Sequence, residues 1–171
     1  MKTVLTVAGS DPSGGAGIQA DIKTITAHGL YATSAITALT VQNTLGVSRV
    51  EPVPVDLVAQ QIDCVVGDIR PDAVKIGMLC NAEIVQAVAQ ALAHGQAECI
   101  VIDPVMISTS GHRLLDQEAV QWMKRKLFPM AQLITPNLPE AEALCGMRVR
   151  DEAEMERAAR LLSDQTGAAV L

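Results

Sequence analysis

Apolar residues along the chain occur in two patterns: short continuous runs, and stretches spaced by three and four. The way these alternate predicts a repeating strand–helix chain. Val4-Leu5-Thr6-Val7 reads as a first strand, and Ile18, Ile22 and Ile25 mark the inner face of a helix ending near Gly29. Tyr31 to Val41 reads as one second strand, and Val47 to Val53 as a strand with a solvent side. Pro54-Val55-Asp56 opens a helix through Val58, Ile62 and Val65 toward Ile69, and Pro71 stops it. The unit then recurs, with a strand over Ala73 to Met78 and a helix from the N-cap Asn81 to His94 that Gly95 terminates.

Cys99 to Pro104 is apolar on both faces, as a central parallel strand covered by helices should be. Residues 105 to 115, with Ser108, Thr109, Ser110 and Gly111, read as a long loop, and Asp116 starts a helix through Val120, Met123 and Leu127. Gln132 to Pro136 is a further strand, and Asn137-Leu138-Pro139-Glu140 opens a short helix to Leu144. A last helix runs from about Glu152 to Gln165, and Ala168 to Leu171 begins one more apolar run. The chain stops inside that run without a cap or a polar tail, which predicts a fragment of a longer protein.

Alternating strands and helices predict an α/β layered domain with a mostly parallel sheet, and in such sheets ligands bind beyond the carboxyl ends of the strands. Chemistry-capable residues collect at those ends: Gly9 to Gly17, Gln42-Asn43, Lys75 to Met78, Asp103, and Asn137 to Glu140. The stretch from Ala8 to Asp21, AGSDPSGGAGIQAD, joins the first strand to the first helix and carries four glycines. Without side chains a ligand can approach that backbone closely, and free N–H groups at the helix start favour an anion or a polar ligand. A P-loop is excluded, because it needs a Gly-Lys-Ser/Thr run and no lysine occurs in this stretch before Lys23. Gly15-Ala16-Gly17-Ile18-Gln19-Ala20 fits the loose dinucleotide pattern, but the second strand ends in Val41-Gln42-Asn43 rather than in the acid that would bind ribose hydroxyls.

Three acidic positions stand out. Asp21 lies at the edge of the apolar helix stripe, where a carboxylate either caps its own first turn or meets a partner or ligand. Asp103 ends a buried strand before Pro104, so a cation or donor must sit near it. Glu140 follows Asn137 by one helical turn, which suits a capping pair and equally suits metal binding; Mg²⁺ needs only one or two carboxylates besides water and substrate phosphates.

The 171 residues, 49% hydrophobic, suffice for one substantial core in one domain. One Trp, one Tyr and one Phe provide almost no stacking platform for single-stranded nucleic acid, and a net charge of −6 argues against nucleic-acid and anionic-membrane partners. Cys64, Cys80, Cys99 and Cys145 form no C-x-x-C pair and have mostly apolar neighbours, which predicts reduced, buried thiols. Neither a signal peptide nor a membrane-length apolar run is present, so a soluble, cytoplasmic protein is expected.

Five blocks carry a family resemblance: AGSDPSGGAGIQAD, ALTVQNT, KIGML, VIDPVM followed by SG, and TPNLPEAEAL. In this order, and across the whole chain, they closely resemble the bacterial hydroxymethylpyrimidine and hydroxymethylpyrimidine-phosphate kinases of thiamine biosynthesis, members of the ribokinase-like superfamily. The resemblance implies a single three-layer α/β ribokinase-like domain over residues 1–171, with a mostly parallel central sheet, incomplete at its carboxyl end. It implies phosphoryl transfer from ATP with Mg²⁺ to the hydroxymethyl group of an aminopyrimidine and then to its monophosphate, in a cytoplasmic homodimer. By motif position, Ala16, Asp21, Gln42, Met78 and Val105 match pyrimidine-contacting residues, and Asp103, Asn137 and Glu140 match the Mg²⁺–nucleotide region, with Asp103 and Glu140 on the metal. A Gln amide offers the acceptor and donor that complement an aminopyrimidine edge.

One departure is clear. The family's glycine-rich Gly-Thr-Gly-Cys type segment, which provides its anion hole and catalytic residue, does not occur in this chain. Low activity of the chain alone is therefore expected. The rival readings are a pyridoxal kinase of the same superfamily and a non-catalytic or dinucleotide-binding α/β protein.

Overall fold

The computed structural model describes residues 1–106 and 115–171. Six strands form one parallel sheet: β1 (Thr3–Ala8), β2 (Tyr31–Ile36), β5 (Ala73–Ile76), β6 (Ile100–Ile102), β7 (Leu133–Ile134) and β8 (Ala169–Val170), in the spatial order β2-β1-β5-β6-β7-β8. The remaining two, β3 (Ala38–Asn43) and β4 (Gly46–Pro52), make a separate antiparallel hairpin. Six helices connect them: α1 (Gly17–Ala27), α2 (Val55–Asp68), α3 (Ala82–His94), α4 (Gln117–Trp122), α5 (Leu138–Cys145) and α6 (Glu152–Thr166).

Strand order dictates the layers. The β1–α1–β2 crossover moves one way along the sheet, and β5–α3–β6 moves the other way. Right-handed connections therefore put α1 and α3 on opposite faces. Side-chain alternation agrees: Leu5 and Val7 of β1, Val74 and Ile76 of β5, and Ile100 and Ile102 of β6 are buried in one continuous core with Ile62 of α2 and Ile84 and Leu92 of α3. The intervening positions, Thr6, Lys75 and Val101, point to the α1 face, and the registers Thr6↔Lys75 and Lys75↔Val101 line them up across three strands. Because β2 lies on one side of β1 and β5 on the other, the chain reverses its direction of winding at β1, and a crevice opens at the carboxyl ends of β1 and β5.

Three expectations are corrected. Tyr31 to Val41 is not one strand: the chain breaks at Thr37, whose N–H donates to the Ala8 carbonyl and whose hydroxyl donates to the Met78 carbonyl at 2.6 Å. Thr37 thereby satisfies its buried polar groups at the sheet's end and turns the chain out into the hairpin. The helix after Asp116 is regular only to Trp122, and continues as a π-turn over Met123–Leu127 and a 3₁₀ turn over Phe128–Met130. The four cysteines are free but not buried, since Cys64 and Cys99 are exposed and Cys80 and Cys145 half-buried. Adjacent positions on a helix are about 100° apart, so the apolar neighbours Val65 and Val66 turn inward while Cys64 turns out. Most of the expected 105–115 loop, including Ser108, Thr109, Ser110 and Gly111, lies outside the described residues. Among the described residues no helix is long and apolar enough to cross a membrane.

Candidate active site

The glycine-rich turn is organised by one buried carboxylate. Asp11, 2% exposed, accepts hydrogen bonds from the backbone N–H of Ser13 (2.8 Å), Gly15 (3.0 Å) and Ala16 (2.8 Å) and from the Ser13 hydroxyl (2.7 Å). Burial alone would raise its carboxyl, but the bonds from Ser13, Ala16 and Gly15 together outweigh it and hold the group below the usual carboxylate range. Gly17 enters the helix at φ +56, and a Cβ there would run into the Gly9 carbonyl, so only glycine lets the turn close on β1. The turn's N–H groups, read from sequence as free for an anion, are in part filled by the protein's own Asp11. A dinucleotide pyrophosphate would need those same groups, so this geometry removes the structural basis of the dinucleotide reading.

Asp21 sits one turn into α1 and does not cap the helix. Its Oδ2 accepts from the buried Thr6 hydroxyl at 2.6 Å, and both its oxygens lie 3.0 Å from Lys75 Nζ. The Lys75 ammonium also lies 4.0 Å from Asp103 Oδ2, so a single lysine stands between two carboxylates from different elements. Asp103 is placed by its N–H, which donates to the Ile76 carbonyl at 2.9 Å. Its carboxyl is pushed up, first by burial and further by Asp21, with Lys75 opposing.

The hairpin forms a wall over the turn. Ser10 donates its N–H to the Ala38 carbonyl at 2.8 Å, and the Thr40 hydroxyl donates to the Ser10 carbonyl at 2.7 Å. The β3–β4 register slips between Val41 and Gln42, from Val41↔Arg49 to Gln42↔Val47. The bulge leaves Ser48 extra on β4 and pairs Gln42 with Val47. Thr40 and Gln42, two apart on β3, share a face, and the Thr40 hydroxyl donates to Gln42 Oε1 at 3.3 Å.

At the far rim Asn137 and Glu140 do form a reciprocal capping box on α5, with both bonds at 3.0 Å. Glu140, 4% exposed, also accepts from the Met106 N–H at 3.3 Å, reaching across to the segment after β6. Burial pushes its carboxyl up, and Asp103 adds to that. Capping and ligand binding are thus not exclusive, because each Glu140 oxygen spends one lone pair on an amide and keeps another.

These pieces enclose a cavity of about 360 Å³ at the carboxyl ends of β1 and β5. Ala16, Asp21, Gln42, Met78, Asp103, Val105, Asn137 and Glu140 all line it, so the structure brings every residue singled out from the sequence to one place. It also brings Thr40 and Val47, which lay outside the stretches singled out from the sequence, and Asp11 and Lys75, which lay within them but were given no role. Lys75 carried a usable signal, as the one charged position in the buried run from Ala73 to Gly77. Asp11 carried none, since an acid inside a polar loop looks like any other.

The phosphomethylpyrimidine kinase family profile matches residues 11–171. This chain belongs to the phosphomethylpyrimidine kinase family. The hydroxymethylpyrimidine/phosphomethylpyrimidine kinase of Escherichia coli is 50% identical, with 100% of this chain and 66% of that protein covered. The one from Haemophilus influenzae is 49% identical, with 96% and 61% covered. A crystal structure of phosphomethylpyrimidine kinase from Clostridium difficile superposes with a TM-score of 0.91 at 44% identity over 100% of this chain and 74% of that one. Pyridoxal kinase from Staphylococcus aureus, solved with AMP-PCP, gives a TM-score of 0.87 at 36% identity, covering 99% of this chain and 62% of its own. The chain spans roughly three-fifths to two-thirds of the two curated kinases, 61% and 66% of their lengths.

The donor chemistry fits the Mg²⁺ that a kinase of this family implies. Asp103 and Glu140 are hard oxygen donors held above their ordinary range by burial, so a cation between them would relieve both. No group of three potential ligands gathers among the described residues, which suits an ion completed by water and phosphate rather than a closed protein cage. Cys80, beside the cavity's Met78, has its thiol pushed up to about 11 by burial, so it stays protonated at neutral pH and does not serve as a thiolate nucleophile.

Proposed function

We propose that the protein carrying this chain transfers the γ-phosphoryl group of ATP to the hydroxymethyl oxygen of 4-amino-5-hydroxymethyl-2-methylpyrimidine and then to the resulting monophosphate. The observation carrying this reading is the shared cavity, where the Gln42 amide and the Asp21 carboxylate face one small space beside Met78 and Val105. Its volume, about 360 Å³, suits a single substituted ring. Gln42 and Asp21 meet the polar edge of the ring, and Met78, Val105 and the Ala16 backbone wall its faces. Asp103 and Glu140 would hold Mg²⁺, which would supply positive charge for the transferred group, and Asn137 orients Glu140 and lies toward the nucleotide. The chain's own residues align the alcohol and exclude water around it.

Asp11, Asp21, Asp103 and Glu140 face a single ammonium, that of Lys75, among the described lining residues, which suits the uncharged ring of the alcohol. A homodimer and a cytoplasmic location belong to the same proposal. Leu39 and Val41, 55% and 58% exposed on the outer side of the hairpin, offer an apolar surface for the dimer.

The test is a phosphoryl-transfer assay with ATP on the whole protein, run on the aminopyrimidine alcohol, its monophosphate and pyridoxal in parallel. Turnover of the first two well above pyridoxal is expected. Preference for pyridoxal would replace this reading with the pyridoxal kinase alternative.

A further inference from the structure

Lys75 is the one cation among the described residues of a cavity with four carboxylates, yet it faces two of them rather than open space. It sits mid-strand between Val74 and Ile76, both buried, and opposite the buried Thr6 in the β1–β5 ladder. Thr6 and Lys75 together hold Asp21 from two directions, with the hydroxyl at 2.6 Å and the ammonium at 3.0 Å from each oxygen. Gly77, two residues further on, projects to the same side of the strand. A Cβ built there would stand 3.1 Å from Lys75 Nζ and 3.1 Å from Ala8 Cβ, inside ordinary contact. A side chain at Gly77 would press on the ammonium, which would have to give by a few tenths of an ångström.

We propose that Lys75, in the room left by Gly77, is a positioning residue that fixes the Asp21 carboxylate in the orientation the pyrimidine meets and keeps Asp21 and Asp103 together in one pocket. The proposal deepens the kinase reading and rests on it for what Asp21 binds; the clamp itself stands on this chain's geometry. Stability alone gives little reason for the ion pair, because the desolvation of two largely buried charges offsets most of their attraction. What the pair provides is direction: a carboxylate with two fixed donors points its remaining lone pairs one way.

Calorimetry of the pyrimidine alcohol binding to the whole wild-type protein and to its K75M, K75R, D21N and K75M/D21N variants tests this. K75M is expected to weaken binding by roughly tenfold, K75R to recover most of the loss, and the double variant to bind no worse than D21N alone. Wild-type affinity in K75M, or losses in K75M and D21N that multiply in full, would overturn the proposal, since a merely structural lysine gives no such coupling. G77A reaches the same point without removing the charge, and should displace the ammonium and weaken binding several-fold. Crystal structures of the wild type, K75M and G77A give an arm independent of ligand. Asp21 turning away from Thr6 in K75M supports the clamp, and Asp21 unmoved in both variants sinks it. Absence of pyrimidine binding by the whole wild-type protein would instead count against the kinase reading.

Discussion

Asp11 on one side of the cavity and the Asp103–Glu140 pair on the other carry the same chemical group, Asp11 and Glu140 buried and Asp103 partly exposed, yet they are shifted in opposite directions. Asp11 collects three backbone N–H groups and a hydroxyl, and is held down. Asp103 has a single ammonium at 4.0 Å, Glu140 has two backbone amides, and both are held up. The difference separates a carboxylate that completes the fold from two that the fold leaves short of positive charge. The first does structural work; the second pair has room for a cation.

The largest expected break in this contrast is D103N in the whole protein, which should lower kcat for the proposed phosphoryl transfer by a hundredfold or more while leaving the fold intact. Its pH dependence has a definite sign. A raised folded-state carboxyl binds more protons than the unfolded chain between the two values, so its contribution to stability falls as pH rises through that window. D103N should therefore be as stable as wild type or more so at neutral pH, and Mg²⁺ should raise the melting temperature of wild type but not of D103N. Denaturation scans with and without Mg²⁺ read both.

D11A should act in the opposite sense, costing about 2 kcal/mol by removing the shared acceptor of three turn N–H groups and a hydroxyl. The Asp11 value is lowered, so its contribution is complete above the unfolded carboxylate range and is lost as pH falls through the folded value. Urea unfolding at pH 7 and pH 3 should show the D11A deficit shrinking at the lower pH. G17A attacks the same turn through the backbone, at φ +56 and against the Gly9 carbonyl, and should cost about 2 kcal/mol by the same measurement. The smallest effect sharpens the contrast: Q42A should weaken pyrimidine binding by roughly tenfold by calorimetry, with ATP use and melting temperature little changed. Equal losses for both substrates would count against Gln42 as a ring contact.

Much of this arrangement was legible from residue patterns. The alternation of apolar runs with three-and-four spacing fixed the order of nearly all elements, and the rule that ligands bind at carboxyl ends of parallel strands pointed to most candidate residues around the cavity, with Asp21 marked by its place on the helix stripe and Val105 by the family motifs alone. Tyr31 to Val41 was misread because its local pattern is strand throughout, and the break at Thr37 is made by carbonyls of Ala8 and Met78, which are distant in sequence. Asp21 illustrates the same limit. Its position at the stripe's edge called for a partner, but capping of its own first turn was the favoured reading until Thr6 and Lys75 were found beside it.

Periodicity, cap residues and punctuating glycines and prolines act between neighbours, so the chain alone determined the elements, the parallel α/β class and the family motifs. Strand order, the winding reversal at β1 and the meeting of Lys75 with Asp21 and Asp103 depend on contacts across 26 to 69 positions. Those are decided by which packed arrangement satisfies all buried polar groups at once, and only the tertiary structure contains that answer.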